Sequence, residues 1–330
     1  MNQQPSATQT RHTGQRPAPL LALVVPCYNE QETLPRTLDA LAELLARFKA
    51  EGRIAPESFA LYVDDGSRDR TWELLEGRHQ HDPYCRAISF AANAGHQNAV
   101  WAGMETARSW GVDCIISLDA DLQDDIAAIP EMLERYAEGC DIVYGVRNDR
   151  SSDTPFKRGT AQFFYRLMGW LQVRLIPDHA DYRLVARPVL ETLPLWQEQA
   201  LFLRGLFPRM GFRTARVHYR RLSRQAGESK YPLLKMLSFA WKGITSCSAA
   251  PLRLAGVMSL LCMLVALVYS LVSLATWLSG AAVPGWTSTI IVVLLLGSVQ
   301  LFCLAVMGEY LAKIYTEVRR RPRYIVEKSL

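Results

Sequence analysis

Ile115-Ile116-Ser117-Leu118-Asp119-Ala120-Asp121-Leu122-Gln123-Asp124-Asp125 joins an apolar run directly to a cluster of carboxylates. The run from Cys114 to Leu118 has the length and apolar continuity of a short buried strand. It stops at two carboxylates spaced i, i+2, followed by an amide and two more carboxylates. Hard oxygen donors of this kind suit Mg²⁺ or Mn²⁺, which take one or two carboxylates and complete their shell with substrate phosphate oxygens. The carboxyl end of a strand is also where open α/β sheets bind their ligands. A plainer reading makes the same residues an acidic cap for a helix starting near Ala127, because Asp is favoured at N-caps. D-x-D by itself does not separate the two.

Working outward, the same unit repeats. Leu20 to Val25 is an apolar strand broken by Pro26-Cys27-Tyr28-Asn29-Glu30, and a helix follows with Leu34, Leu38, Leu41, Leu44 and Leu45 at helical spacing. Phe59 to Val63 is a second strand, ending at Asp64-Asp65-Gly66-Ser67, with a helix from near Thr71. Ala87 to Phe90 is a third, after which Asn93-Ala94-Gly95-His96 opens a helix through Met104. Asp141 to Tyr144 is a fifth strand, ending in Gly145-Val146-Arg147. Strand, loop and helix in rotation predict an α/β domain with a largely parallel sheet and helices on both faces. The polar loops all follow strands, so they gather on one edge. Carboxylates at two strand ends on one edge repel unless a cation lies between them, and a metal–diphosphate complex would supply one. No G-x-G-x-x-G or G-x-x-x-x-G-K-[ST] is present, which excludes the dinucleotide and P-loop readings.

The 330 residues suffice for such a domain and something smaller, and the net charge of +5 matters less than its distribution. Seven cysteines without a C-x-x-C pair read as buried thiols in a reducing compartment. Residues 1–18, rich in Gln, Thr, Pro and Arg, read as a disordered tail. Nothing points to nucleic acid as a partner. The basic cluster Arg147, Arg150, Lys157, Arg158 follows a strand end on the site edge and suits an anionic substrate, since guanidinium grips phosphate through a planar fork. Phe163 to Leu171 reads as an apolar helix beside it. Asp178-His179-Ala180-Asp181 forms a second acidic spot.

V-V-P-C-Y-N-E (24–30), V-D-D-G-S (63–67), L-D-A-D-L-Q-D (118–124) and R-x-x-G-x-S-K-Y (224–231) stand in this order. Together they resemble the family 2 glycosyltransferases of GT-A fold, and within them the polyprenyl-phosphate glycosyltransferases, over roughly Leu20 to the C-terminus. The resemblance implies that Pro26, Tyr28, Glu30, Val63 and Asp65 hold the nucleoside of a UDP-sugar. It places the metal and diphosphate on Asp119, Ala120, Asp121 and Gln123, with Mg²⁺ or Mn²⁺ as cofactor. Arg147, Lys157 and Arg158 would meet the acceptor phosphate, and Arg224 and Lys230 would neutralise the leaving diphosphate. Asp181 would position or deprotonate the nucleophile. Asp124-Asp125 departs from the amide, His or Asp followed by Pro that many relatives carry. A homo-oligomer, a tetramer, is also implied.

Leu254 to Gly308 contains no charged residue. Segments of about 255–277 and 289–309 are long enough to span a bilayer, and 279–288 with Pro284 breaks them into a hairpin. Arg253 precedes the hairpin, and Lys313, Arg319, Arg320, Arg321 and Arg323 follow it, which sets both termini in the cytoplasm by the positive-inside rule. Leu233 to Ala249 reads as amphipathic and interfacial. The expected organisation is therefore a catalytic domain at 19–232, interfacial helices at 233–252, the hairpin at 253–312 and a basic segment at 313–330 attracted to anionic lipid headgroups. The expected reaction is an inverting transfer of glucose from UDP-glucose to undecaprenyl phosphate at the bacterial inner membrane. Alternatives are another sugar, such as an aminoarabinose derivative or mannose, or a scaffold without activity. A processive synthase is disfavoured by the absence of Q-x-x-R-W.

Overall fold

Unbroken burial along β1 (Leu21–Cys27) sets the architecture. Leu21, Leu23, Val25 and Cys27 belong to one apolar cluster, and Ala22 and Val24 to another. A strand of period two that is apolar at every position must be covered on both faces. The computed structural model, which describes residues 16–147, 179–220, 249–279 and 285–330, shows that covering. Helices α1 (Leu34–Ala50) and α4 (Ile129–Ala137) supply the first cluster, joined by Leu75 of α2 (Thr71–His79). Helix α3 (His96–Ser109) supplies the second, with the short α5 (Arg187–Leu190) and α6 (Leu203–Leu206).

The remaining strands are β2 (Phe59–Asp64), β3 (Cys85–Phe90), β4 (Cys114–Ser117), β5 (Ile142–Arg147), β6 (His179–Ala186), β7 (Thr214–Tyr219) and β8 (Val326–Ser329). Their order across the sheet is β7-β5-β6-β4-β1-β2-β3-β8. Strands β4, β1, β2 and β3 run parallel. Strand β6 enters antiparallel between β4 and β5, and β8 adds antiparallel to the outer edge of β3. The sheet is thus mixed but largely parallel, and periodicity revealed neither its two reversed strands nor β7. The residues around Asp181 read as an acidic spot, and 313–330 as a basic segment. Both contain sheet.

Helix α3 lies close on the sheet because Gly103 lets it. A Cβ there would sit 2.3 Å from Val24 Cγ1 and 3.1 Å from Val63 Cγ2. Gly103→Ala is expected to destabilise the fold by about 1–3 kcal/mol, the usual cost of overpacking, read as a lower Tm. An unchanged Tm would mean that the helix is not held against β1.

Arg16 makes specific contacts with the sheet domain. Arg16 donates to Asp141 Oδ1 at 2.7 Å and to the Cys140 carbonyl at 3.1 Å, and its guanidinium lies over the Tyr136 ring. Arg16, inside the stretch expected to be a tail, is thus held against the sheet domain. The three contacts tie one cation to α4 and to the loop that leads into β5.

Residues 249–279 and 285–321 belong to a second compact unit. Helix α7 (Ala250–Leu278) and helix α8 (Trp286–Arg319) are each long and apolar enough to cross a membrane. Helix α8 extends ten residues past the expected end at 309 and carries Glu309 and Lys313 within it. The pair packs through Ala255 and Val306, and Cys303 Sγ approaches the Ala255 carbonyl at 3.5 Å. A Cβ at Gly256 or Gly297 would meet nothing within 4 Å, so neither glycine mediates this packing.

Candidate active site

Strand β6 runs against its neighbours, so its beginning lies beside their ends. Ser117, the last residue of β4, pairs with Arg183, and the Ser117 hydroxyl donates to the Asp181 carbonyl at 2.6 Å. Asp181 is thereby brought to the carboxyl edge occupied by the 119–125 loop. Period two puts Asp181 and Arg183 on the face shared by Val185, toward α3 and α6. There the Arg183 Nη2 donates to Asp181 Oδ1 at 2.7 Å, and Arg204 Nη2 from α6 donates to Oδ2 at 3.1 Å. Arg183 is fully buried and its guanidinium rests 4.6 Å from the Phe207 ring centre.

His96 opens α3 and faces the same carboxylate. Its Nε2 lies 3.7 Å from Asp181 Oδ2 and 3.8 Å from Asp119 Oδ1, long for hydrogen bonds but close for charges. Burial would raise the Asp181 carboxyl; His96, Arg204 and Arg183 overcome it and hold the group well below the usual carboxylate range. Burial would likewise lower His96, yet Asp181 and Asp119 raise it. Asp119 goes the other way: burial pushes it up to about 6, with Asp124, Asp181 and Asp121 adding to the rise against His96.

The 119–125 loop divides its carboxylates by task. Leu122 takes a positive φ of 50°, and this turn lets Asp121 Oδ1 accept from the Gln123 amide at 3.1 Å. Asp125 caps the following turn by accepting from the Ala127 amide at 2.9 Å. The helix-cap reading therefore holds for this one residue. Asp124 is buried, and its Oδ1 accepts from the Tyr219 hydroxyl and from Arg147 Nη2. Its Oδ2 is buried with no hydrogen-bond partner among the described residues. Arg147 also donates from Nε to Tyr219 at 3.1 Å, so this guanidinium is already braced from two sides.

The nucleoside residues expected from the motifs are placed unequally. Tyr28 is 45% exposed beside a cavity of about 330 Å³ whose wall includes Asp64 and Ser89. Pro26 and Val63 are buried within β1 and β2, so their side chains belong to the core. Asp65 is buried too. Its oxygens accept from the amides of Ala94 and Gly95 and from Asn93 Nδ2, which makes it the fastener of the loop before α3. Glu30 accepts from the Thr33 hydroxyl within its own turn. Ala120 is buried and its carbonyl accepts from Thr37 at 2.6 Å, while Gln123 is buried beneath the loop. Lys157, Arg158, Arg224 and Lys230, with the expected helices at 163–171 and 233–249, lie outside the described residues.

Three site residues escaped the sequence reading. His96 had a usable signal, because it follows a strand end on the same edge. Arg183 was quoted beside Asp181 without a role, and a strand alternation through Asp181, Arg183 and Val185 would have paired them. Arg204 follows no motif and is brought in by the fold alone.

An α/β sheet with its acidic loops and their cations gathered at one carboxyl edge is the frame of an enzyme that handles an activated, anionic substrate. Residues 22–193 match the family described as Glycosyl transferase family 2, and residues 250–314 match the GtrB C-terminal hairpin. The chain belongs to glycosyl transferase family 2 and is a glycosyltransferase. It is 45% identical over 312 residues to the uncharacterized glycosyltransferase YkoT of Bacillus subtilis (strain 168), covering 94% of this chain and 92% of that one. It is 36% identical over 311 residues to the SfII prophage-derived bactoprenol glucosyl transferase of Shigella flexneri, covering 94% and 98%. Among solved structures, the mannosyltransferase PcManGT from Pyrobaculum calidifontis in complex with GDP-Man and Mn²⁺ aligns over 91% of this chain and 89% of its own. It does so at 15% identity and a TM-score of 0.42.

Proposed function

We propose that this chain transfers one glucose from UDP-glucose to a polyprenyl phosphate, inverting the anomeric carbon. The carrying observation is the charged edge built by Asp119, His96, Asp181 and Arg204 in a chain that also carries a GtrB-type hairpin. Relatives named bactoprenol glucosyl transferase, at 35–36% identity over nearly the whole chain, support this choice of sugar and lipid. Undecaprenyl phosphate is the proposed acceptor, the catalytic unit and both termini face the cytoplasm of a bacterial inner membrane, and the protein works as a homo-oligomer.

The residues fit a divalent cation. Asp119 is pushed up to about 6 by burial and by the neighbouring Asp124, Asp181 and Asp121, and a buried Asp124 oxygen has no hydrogen-bond partner among the described residues, so the loop holds more negative charge than these donors offset. Asp119 and Asp121, with Gln123, would hold Mg²⁺ or Mn²⁺, which when bound offsets the charge of the diphosphate leaving group. Asp181, held ionised between two guanidiniums, is a poor proton acceptor and serves to position Arg204 and His96. No base is required, because a phosphate monoester with a second pKa of about 6 is already largely dianionic at neutral pH. Arg147, braced by Asp124 and Tyr219, is aimed for the acceptor phosphate. Lys157 and Arg158 assist it, and Arg224 and Lys230 close on the donor diphosphate. Orientation and charge neutralisation supply the acceleration.

Cation binding is expected to depend on pH through Asp119. A proton on this carboxyl competes with the metal, so apparent Mn²⁺ affinity should rise as pH increases toward about 6 and level off above it. His96, Asp124, Asp181 and Asp121 are the charged groups that face Asp119. Electron paramagnetic resonance of free Mn²⁺ from pH 5 to 8 reads this directly, and Asp119→Asn should flatten the profile. A flat profile in the unmodified protein would remove Asp119 from the metal site.

The test of function is transfer by the purified protein in detergent with undecaprenyl phosphate and Mg²⁺ or Mn²⁺. Label from UDP-[¹⁴C]glucose entering the lipid phase supports the reading. Label from another nucleotide sugar alone keeps the reaction and changes the sugar. No transfer from any donor overturns it.

A further inference from the structure

Resting on the nucleotide-sugar reading above, we propose that the C-terminal strand β8 reads the base of the donor. Lys328 donates to a ring carbonyl, and Glu327 accepts the neighbouring imide N–H of a keto-pyrimidine nucleoside diphosphate.

The cavity at the carboxyl edge of β2 and β3 is walled by Tyr28, Asp64, Ser89 and Asn93 on the sheet side and by Glu327 and Lys328 of β8 on the other. Consecutive strand residues ordinarily point to opposite faces, yet both of these reach one cavity. The pairing explains how. Ser89 stands opposite Lys328 while Phe90 stands opposite Val326, so one step along β3 takes two along β8, with Glu327 the extra residue of a β-bulge. A bulge re-aims side chains and recurs beside binding sites. Strand β8 is fixed in place by further contacts. The Leu330 amide donates to the Ala87 carbonyl at 2.8 Å, the Ala91 amide donates to the Ile325 carbonyl at 3.0 Å, and Tyr324 stacks on Phe90 at 4.8 Å.

The chemistry of this wall is specific. Tyr28 presents an exposed ring on which a base can stack. Asp64 is committed, because Oδ1 accepts from the Ser67 amide and Oδ2 from the Ser89 hydroxyl. Glu327 is exposed and leaves its carboxylate available to a ligand. The Lys328 Nζ stands 5.6 Å from the ring centre of Trp72, which also lines the cavity. An ammonium donor beside a carboxylate acceptor complements a carbonyl beside an imide N–H. A cytosine edge, with its amino donor beside a ring-nitrogen acceptor, presents the reverse order. A strand that follows the two apolar helices in sequence thus takes part in choosing the donor.

The test is calorimetric titration of the purified full-length protein in detergent with Mg²⁺ and either UDP or CDP. The unmodified protein is expected to prefer UDP. Lys328→Ala and Glu327→Gln should each weaken UDP binding about tenfold, the scale of one charge-assisted hydrogen bond, and should narrow the UDP-to-CDP ratio. Lys328→Arg should retain most of the affinity. A structural role for the strand would lower both affinities together and leave the ratio unchanged. UDP binding by the variants equal to that of the unmodified protein, or an unchanged ratio, overturns the proposal. Binding of neither nucleotide by the unmodified protein overturns the nucleotide-sugar reading itself.

Discussion

Asp181→Ala is expected to lower the Tm by on the order of 10 °C and to abolish transfer. The substitution strands Arg183, a fully buried cation, without its 2.7 Å partner. Removing one member of a buried ion pair costs about 3–5 kcal/mol, because the remaining charge keeps its desolvation penalty. In a unit of this size each kcal/mol moves Tm by about 2–4 °C. Adding Arg183→Met should recover most of the stability, since a buried pair replaced by apolar groups is often neutral. It should not recover activity, because Arg204 and His96 remain without the carboxylate that positions them. Thermal unfolding of the single and double variants checks the first half, and lipid labelling checks the second. A single variant with a Tm within about 2 °C of the original would show that the pair does not stabilise the fold.

Asp121→Asn is expected to reduce transfer by about 10²–10³-fold or more, the scale of losing a preorganised charge at the reacting centre, with little change in Tm. The contrast with Asp181 comes from the local geometry. Asp121 is half-buried and bonded to the Gln123 amide through one oxygen, and the Asn carbonyl can keep that bond. What disappears is the second anionic oxygen. Asp125→Asn, four residues on, serves as the control: Asn is as good an N-cap as Asp, so the Ala127 bond survives and activity should stay near the original. Full transfer by Asp121→Asn would remove Asp121 from the metal site. Equal losses in both variants would mean that the loop tolerates no change of charge.

The sequence was most readable where one residue's pattern repeats along an element. Period-two burial and strand-then-helix rotation predict β1 to β5 and the four long helices of the sheet domain, because those patterns are set locally. Strand β6 was hidden because its alternation is carried by Asp181 and Arg183, whose burial depends on each other and on Arg204 from a separate helix. Strand β8 was hidden because its residues are exposed, and nothing apolar marks Glu327-Lys328-Ser329 as sheet. In the site, the motif loops were legible, but the division of labour within them was not. Asp65 and Asp124 carry the same carboxylate as Asp121, yet one fastens the 93–95 loop and the other braces Arg147 and Tyr219. Such differences arise from partners distant in the chain, which spacing alone does not encode.

The outer edge of β3 has a history set by translation. A strand with one free row of amides and carbonyls is a template for unwanted pairing. Here its partner, β8, is within the last five residues of the chain. At about 5–20 residues per second, the 235 residues between the end of β3 and the start of β8 impose a delay on the order of tens of seconds. Throughout that interval the two apolar helices are also being made. The nascent protein therefore has an open flank while the hairpin is being made, and emergence of β8 from the ribosome, not collapse of the core, marks the moment at which the flank can close.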